Sequence, residues 1–181
     1  MIAANLESNS IAQLNSYLGN SSVMTNVPLQ DRSTALNRQF TIINTPEDRF
    51  CNEVVANALC IASTGKQVLV VQLLKGGIRQ GHDRIMNLAQ NLDWIRCNLI
   101  RNISTPDLND LELHNFQQLW KHVQTVTRQA QYSLVIIDDL SRSIELDLIP
   151  LEAATRFLCE LPDDVEVILT GTNPHPALME L

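Results

Sequence analysis

Two stretches of this chain are almost uninterrupted runs of β-branched residues and leucine: "QVLVVQLL" at 67–74 and "SLVIIDDL" at 133–140. A strand with one wet face alternates apolar and polar side chains, whereas a strand covered on both faces has no polar side to show. Both runs are therefore expected at the centre of a mostly parallel sheet sandwiched between helices. The rest of the chain agrees. Its patterns read as strand 39–44, helix 47–64, strand 67–74, helix 82–91, strand 92–98, helix 111–130, strand 133–138, helix 151–160 and strand 165–170. Strands alternating with helices give an α/β fold with helices on both faces of the sheet.

In "LELHNFQQLWKHVQTVTRQA", residues Leu113, Phe116, Leu119, Trp120, Val123 and Val126 recur at helical spacing, which marks a core-facing stripe. The alternation in "NLDWIRCNLI" gives a strand with one exposed face, from which Trp94 faces the sheet cover or a partner. The division expected is a polar segment, 1–38, followed by one α/β domain, 39–181. Within the first segment, "SIAQLNSYLG" is one short helical candidate with Ser10 at its start and Gly19 at its end. Ile11, Leu14 and Leu18 form an apolar stripe on it, too short to stand alone. It is expected to pack on its own domain or to dock on a second chain.

At 181 residues and 45% hydrophobic, one domain can bury roughly 70% of the surface its unfolded chain exposes. A formal charge of -7 without any run of Lys and Arg argues against a nucleic-acid surface. Cys51, Cys60, Cys97 and Cys159 are scattered without metal-ligand spacing and are expected as buried free thiols. No window of about 18 apolar residues and no basic-then-apolar leader is present, so a cytoplasmic protein without a membrane span is expected.

In such sheets ligands collect at the carboxyl ends of the strands, here 44–51, 72–77, 138–142 and 170–173. At three of these ends, "VLVVQLLKGG" (68–77), "YSLVIIDDL" (132–140) and "EVILTGTNPHPAL" (166–178) resemble the P-loop ATP:corrinoid adenosyltransferase family in order and spacing. The resemblance covers roughly residues 39–178 and implies a RecA-like P-loop NTPase fold. The activity it implies is transfer of the 5′-deoxyadenosyl group of ATP to the cobalt of a reduced corrinoid, with magnesium. In the register set by "VLVVQ", however, the family's Gly-Lys-Thr falls on Arg49, Phe50 and Cys51, and its preceding glycines fall on Thr45 and Glu47. A phosphate loop needs glycines because any Cβ obstructs convergence of backbone N–H groups on phosphate. Here Pro46, Glu47 and Asp48 suit a self-capped helix start instead.

The resemblance places a crevice at Arg49, Gln72, Lys75, Gly76, Thr170 and Gly171, with Asp138 and Asp139 where a carboxylate holds magnesium through water. The acids can equally cap the following turn or pair with Arg142. His82 stands where the family has Glu and Thr172 where it has Arg; His82, His114, His122 and His175 are all expected as ordinary surface or core residues. No catalytic residue is assigned. The expected function is that of a pseudoenzyme acting on an unidentified protein partner or as a homodimer, without an assigned cofactor. The alternative is an adenosyltransferase with a rebuilt loop, in which Arg49 and Lys75 hold ATP and magnesium. A third is a binder of another anionic metabolite.

Overall fold

The computed structural model describes residues 40–45, 52–77 and 80–181. In chain order these form β1 (Phe40–Asn44), α1 (Asn52–Ser63), β2 (Val68–Gln72), β3 (Met86–Ala89), β4 (Leu92–Arg96), α2 (Asp110–Arg128), β5 (Leu134–Asp138), α3 (Leu140–Glu145), α4 (Leu151–Cys159), β6 (Glu166–Gly171) and α5 (Pro176–Met179). The expected helix at 10–18 and the turn carrying Pro46, Glu47, Asp48, Arg49, Phe50 and Cys51 lie outside the described residues.

The strands make one sheet in the order β1-β6-β5-β2-β4-β3, parallel throughout except for β3. β2 and β5 are neighbours, and every residue of both is buried, as their unbroken apolar sequences require. Strand alternation then splits the core into two layers. Val68, Val70, Leu92, Leu134, Ile136 and Ile168 pack with Val54, Ala58 and Ala62 of α1. On the other face Leu69, Val71, Val135, Ile137 and Leu169 meet Phe116, Leu119 and Val123 of α2 and Phe157 of α4. Trp120 stacks edge-on against Phe157 with ring centroids 5.2 Å apart.

α2 starts with a capping box: Asn109 accepts from the Glu112 backbone at 2.9 Å, while the Glu112 carboxylate accepts from the Asn109 N–H at 3.1 Å. Its apolar stripe is buried from Phe116 onward, but Leu113 is exposed. Arg101 reaches across to Glu112 with two nitrogens at 2.8 and 2.9 Å, fastening the loop after β4 to the start of this helix.

Three expectations need correction. The segment 82–91 is not a helix: β3 pairs antiparallel with β4 around the turn at Gln90 and Asn91. Asn91 takes φ 63°, a left-handed conformation that asparagine tolerates and tight hairpins need, and Asn87 donates to Asp93 across the pair at 3.0 Å. Cys97 alone of the described cysteines is buried, its thiol pushed up to about 12 by burial first and by Glu112 second, whereas Cys60 and Cys159 are exposed on helix surfaces. The short helices α3 and α5 were not anticipated, because neither is long enough to show periodicity. Trp94 faces the sheet cover, partly buried against the α1 layer. Among the described residues no helix is long and apolar enough to cross a membrane.

His122 of α2 faces His82 with ring centroids 5.9 Å apart, and its Nε2 is buried without a hydrogen-bond partner. Burial first, and the neighbouring His82 second, hold its pKa below the ordinary histidine value. The folded state therefore binds this proton less readily than the unfolded chain. The neutral form stabilises the fold above the unfolded pKa of about 6.5, and that contribution is lost as pH falls through the lowered folded value. Denaturant unfolding should show stability declining from neutral to mildly acidic pH, and His122→Gln should flatten that decline.

Candidate functional site

Because the strands are parallel, the carboxyl ends of β1, β2, β4, β5 and β6 fall along one edge of the sheet. The register pairs Gln72 with Arg96 on one side and with Asp138 on the other, and Asp138 with Thr170. Arg96, Gln72, Asp138 and Thr170 thus form a row across four strands. Trp94, Val70, Ile136 and Ile168, each two residues upstream, belong to the α1 layer, so the row continues that face beyond the apolar core.

Asp138 is the centre of the row. It is 3% exposed, and both carboxylate oxygens are engaged: Oδ1 accepts from the Thr170 hydroxyl at 2.8 Å and Oδ2 from the Gln72 amide at 3.2 Å. A buried carboxylate is tolerated only with such donors. Asp139 follows in a left-handed conformation, φ 64° and ψ 28°, with its N–H donating to the Thr170 carbonyl at 2.9 Å. Its carbonyl accepts from the backbone N–H and the hydroxyl of Ser143, within the first turn of α3. Arg142 does not serve the acids: it pairs with Glu145 at 2.8 Å, its neighbour one helical turn on.

Two glycines shape the crevice. Gly171 has φ +140°, and a Cβ there would stand 3.3 Å from Asp139 Oδ1. At Gly76 a Cβ would run into the carbonyl of Arg101, so only glycine lets the β2 loop lie against the loop after β4. The Gly76 N–H is bound by Asn102 Oδ1 at 2.9 Å, and half-buried Lys75 precedes it. Thr45 closes the crevice on the β1 side, its N–H donating to Gly171 at 2.9 Å.

The structure thus joins Gln72, Asp138 and Thr170 by direct hydrogen bonds and sets Asp139 against Gly171. Lys75 and Gly76 lie on the neighbouring loop, and Arg49 lies outside the described residues. Arg96 escaped the sequence reading. The rule that points to strand ends also applies to the strand at 92–98, where Trp94 and Arg96 share a face. The Arg96 guanidinium sits 5.1 Å from the centroid of the Trp94 ring. Desolvation lowers its pKa and the Asp138 charge partly opposes that shift. The histidines take structural places: His175 caps α5 through Nδ1 to the Ala177 N–H at 3.3 Å, and His114 is exposed.

Both oxygens of Asp138 are held by protein donors, and no group of three His, Cys, Asp or Glu among the described residues is placed to hold a metal ion. Arg49, Phe50 and Cys51, on which the family's Gly-Lys-Thr is expected to fall, lie outside the described residues.

A sequence model of a known family, described as "ATP:corrinoid adenosyltransferase BtuR/CobO/CobP", matches residues 54–181, beginning just beyond the β1–α1 turn. The corrinoid adenosyltransferase of Escherichia coli K12 is 25% identical over 125 residues, 65% of this chain and 59% of the relative. Corrinoid adenosyltransferase CobA of Salmonella typhimurium is 23% identical over 125 residues, again 65% and 59%. The uncharacterized protein all2391 of Nostoc sp. is 26% identical over 121 residues, 64% of this chain and 32% of the relative. The matched part of the chain spans less than two thirds of each of these relatives.

Thr170→Val is nearly isosteric and removes the donor to Asp138 Oδ1. Leaving that oxygen unmet should cost about 1–3 kcal/mol in denaturant unfolding, whereas Thr170→Ser, which keeps the hydroxyl, should cost far less.

Proposed function

This chain belongs to the ATP:corrinoid adenosyltransferase family, and from that premise we propose that it keeps the family's α/β platform as a binding protein that does not transfer adenosyl groups from ATP. The observation that carries this reading is the stretch 45–51, which has no glycine or lysine and puts Phe50 and Cys51 where the family has its lysine and metal-binding hydroxyl. Losing one charge-assisted lysine contact costs on the order of 1.5–3 kcal/mol, roughly ten- to a hundredfold in affinity. Glu47 and Asp48 add two negative charges to the same stretch of sequence, which disfavours an anionic triphosphate. On this reading the domain works through a protein partner or a second copy of itself, in a cytoplasmic setting.

Millimolar Mg-ATP is expected to leave the melting temperature unchanged, whereas a ligand at about 100 times its Kd would add about 2.7 kcal/mol. Adenosylation of a reduced corrinoid should not exceed the protein-free rate. Turnover that Lys75→Ala or Asp138→Asn abolishes would overturn the proposal in favour of a rebuilt ATP site.

Residues 10–18, with Ile11, Leu14 and Leu18 on one face, are the proposed contact for that partner. Removing residues 1–33 should abolish association, read by light scattering or pull-down, while leaving the melting temperature in place. Retained association would remove the segment from the interface.

A further inference from the structure

Arg96 and Gln72 present a second chemistry at the same edge of the sheet. Arg96 Nε is shielded from solvent and has no acceptor. Its guanidinium lies over the Trp94 ring, 5.1 Å from the centroid. Beside it, as its register partner on β2, Gln72 is 2% exposed. A carboxylate can only accept, so the amide nitrogen must be the branch that meets Asp138 Oδ2. That leaves Gln72 Oε1 as a buried acceptor with no donor. One unmet buried donor on a cation and one unmet buried acceptor thus stand on adjacent strands, with a carboxylate next in the row.

A ligand that satisfies all three must offer an anionic acceptor to Arg96, must donate to Gln72, and must tolerate Asp138. We propose that the ends of β2 and β4 bind inorganic phosphate as an oxyanion that retains a proton, its charged oxygens accepting from Arg96 and its P–OH donating to Gln72 Oε1. The chemistry disfavours sulfate, which matches phosphate in size but carries no proton at neutral pH and would set an oxygen against Oε1. Phosphate keeps at least one hydroxyl at that pH. A phosphate monoester loses its last proton with a pKa near 6, so its fit depends on pH where that of phosphate does not. The Asp138 charge acts in the same direction, disfavouring a fully deprotonated anion. This site lies on β2 and β4 and does not rest on the loss of adenosyl transfer, so either conclusion can fail without the other.

Calorimetric titration of the full chain at neutral pH with sodium phosphate, and separately with sodium sulfate, tests the assignment. Saturable one-to-one binding of phosphate is expected, with sulfate weaker by about tenfold or more, since it leaves a buried acceptor unmet. Arg96→Gln should abolish the phosphate heat while leaving the melting temperature near that of the parent. Glycerol phosphate should bind more weakly than phosphate at neutral pH and gain as the pH is lowered to about 6. Equal affinity for sulfate and phosphate would overturn the assignment, because plain charge attraction predicts that result. Phosphate binding that survives Arg96→Gln would also overturn it, as would no binding at millimolar phosphate. If Arg96→Gln fails to fold, the phosphate-to-sulfate comparison on the unaltered chain still decides. Monoester binding that exceeds phosphate at neutral pH would overturn the requirement for a retained proton.

Discussion

Removing a carboxylate from water costs several kcal/mol unless protein donors replace the lost hydration, and in this fold Asp138 is where that condition is met. Its two oxygens draw β2 and β6 onto β5 through Gln72 and Thr170. These bonds exist only in one strand register. A slip of one residue would turn each of the three side chains to the opposite face and bury the charge against α2 and α4 without partners. The polar row therefore complements the apolar layers, which fix which face each strand shows but are tolerant of small displacements along it.

The same clasp bears on chemistry. Each oxygen of Asp138 accepts one hydrogen bond from a neighbouring strand, so the carboxylate serves the sheet. The edge nevertheless keeps the backbone shape of a ligand-binding crevice. Asp139 and Gly171 hold adjacent strand ends in left-handed conformations, and the Cβ-free Gly76 lets two loops touch. Strain of this kind, of order 1–3 kcal/mol at a non-glycine residue, persists only where surrounding structure enforces it.

Electrostatics along the row are asymmetric. Asp138 accepts from Gln72 and Thr170, and Arg96, one strand beyond Gln72, feels its charge. Burial penalises the Arg96 charge while Asp138 favours it, and the aromatic face of Trp94 stands in for part of the lost water. A cation held in this way is prepared for an anionic partner more than for solvent.

Much of this architecture was legible in the residues. The unbroken runs at 68–72 and 134–138 determined two central strands, because such strands have no polar face to expose to water. The periodic stripe from Phe116 to Val126 determined α2. The stretch 45–51 by itself shows that glycine and lysine are missing, since that is a matter of composition at a motif. Local pattern misjudged 82–91, where the apolar residues suit either period and the choice fell to pairing with β4 through Asn91. It also could not decide the buried state of Cys60 and Cys159, which depends on which helix face meets the sheet. Nor could it bring Arg96 beside Gln72 or set Thr170 against Asp138. Those partners are 24 and 32 positions apart, and only strand order and register, settled by packing on both faces, make them neighbours.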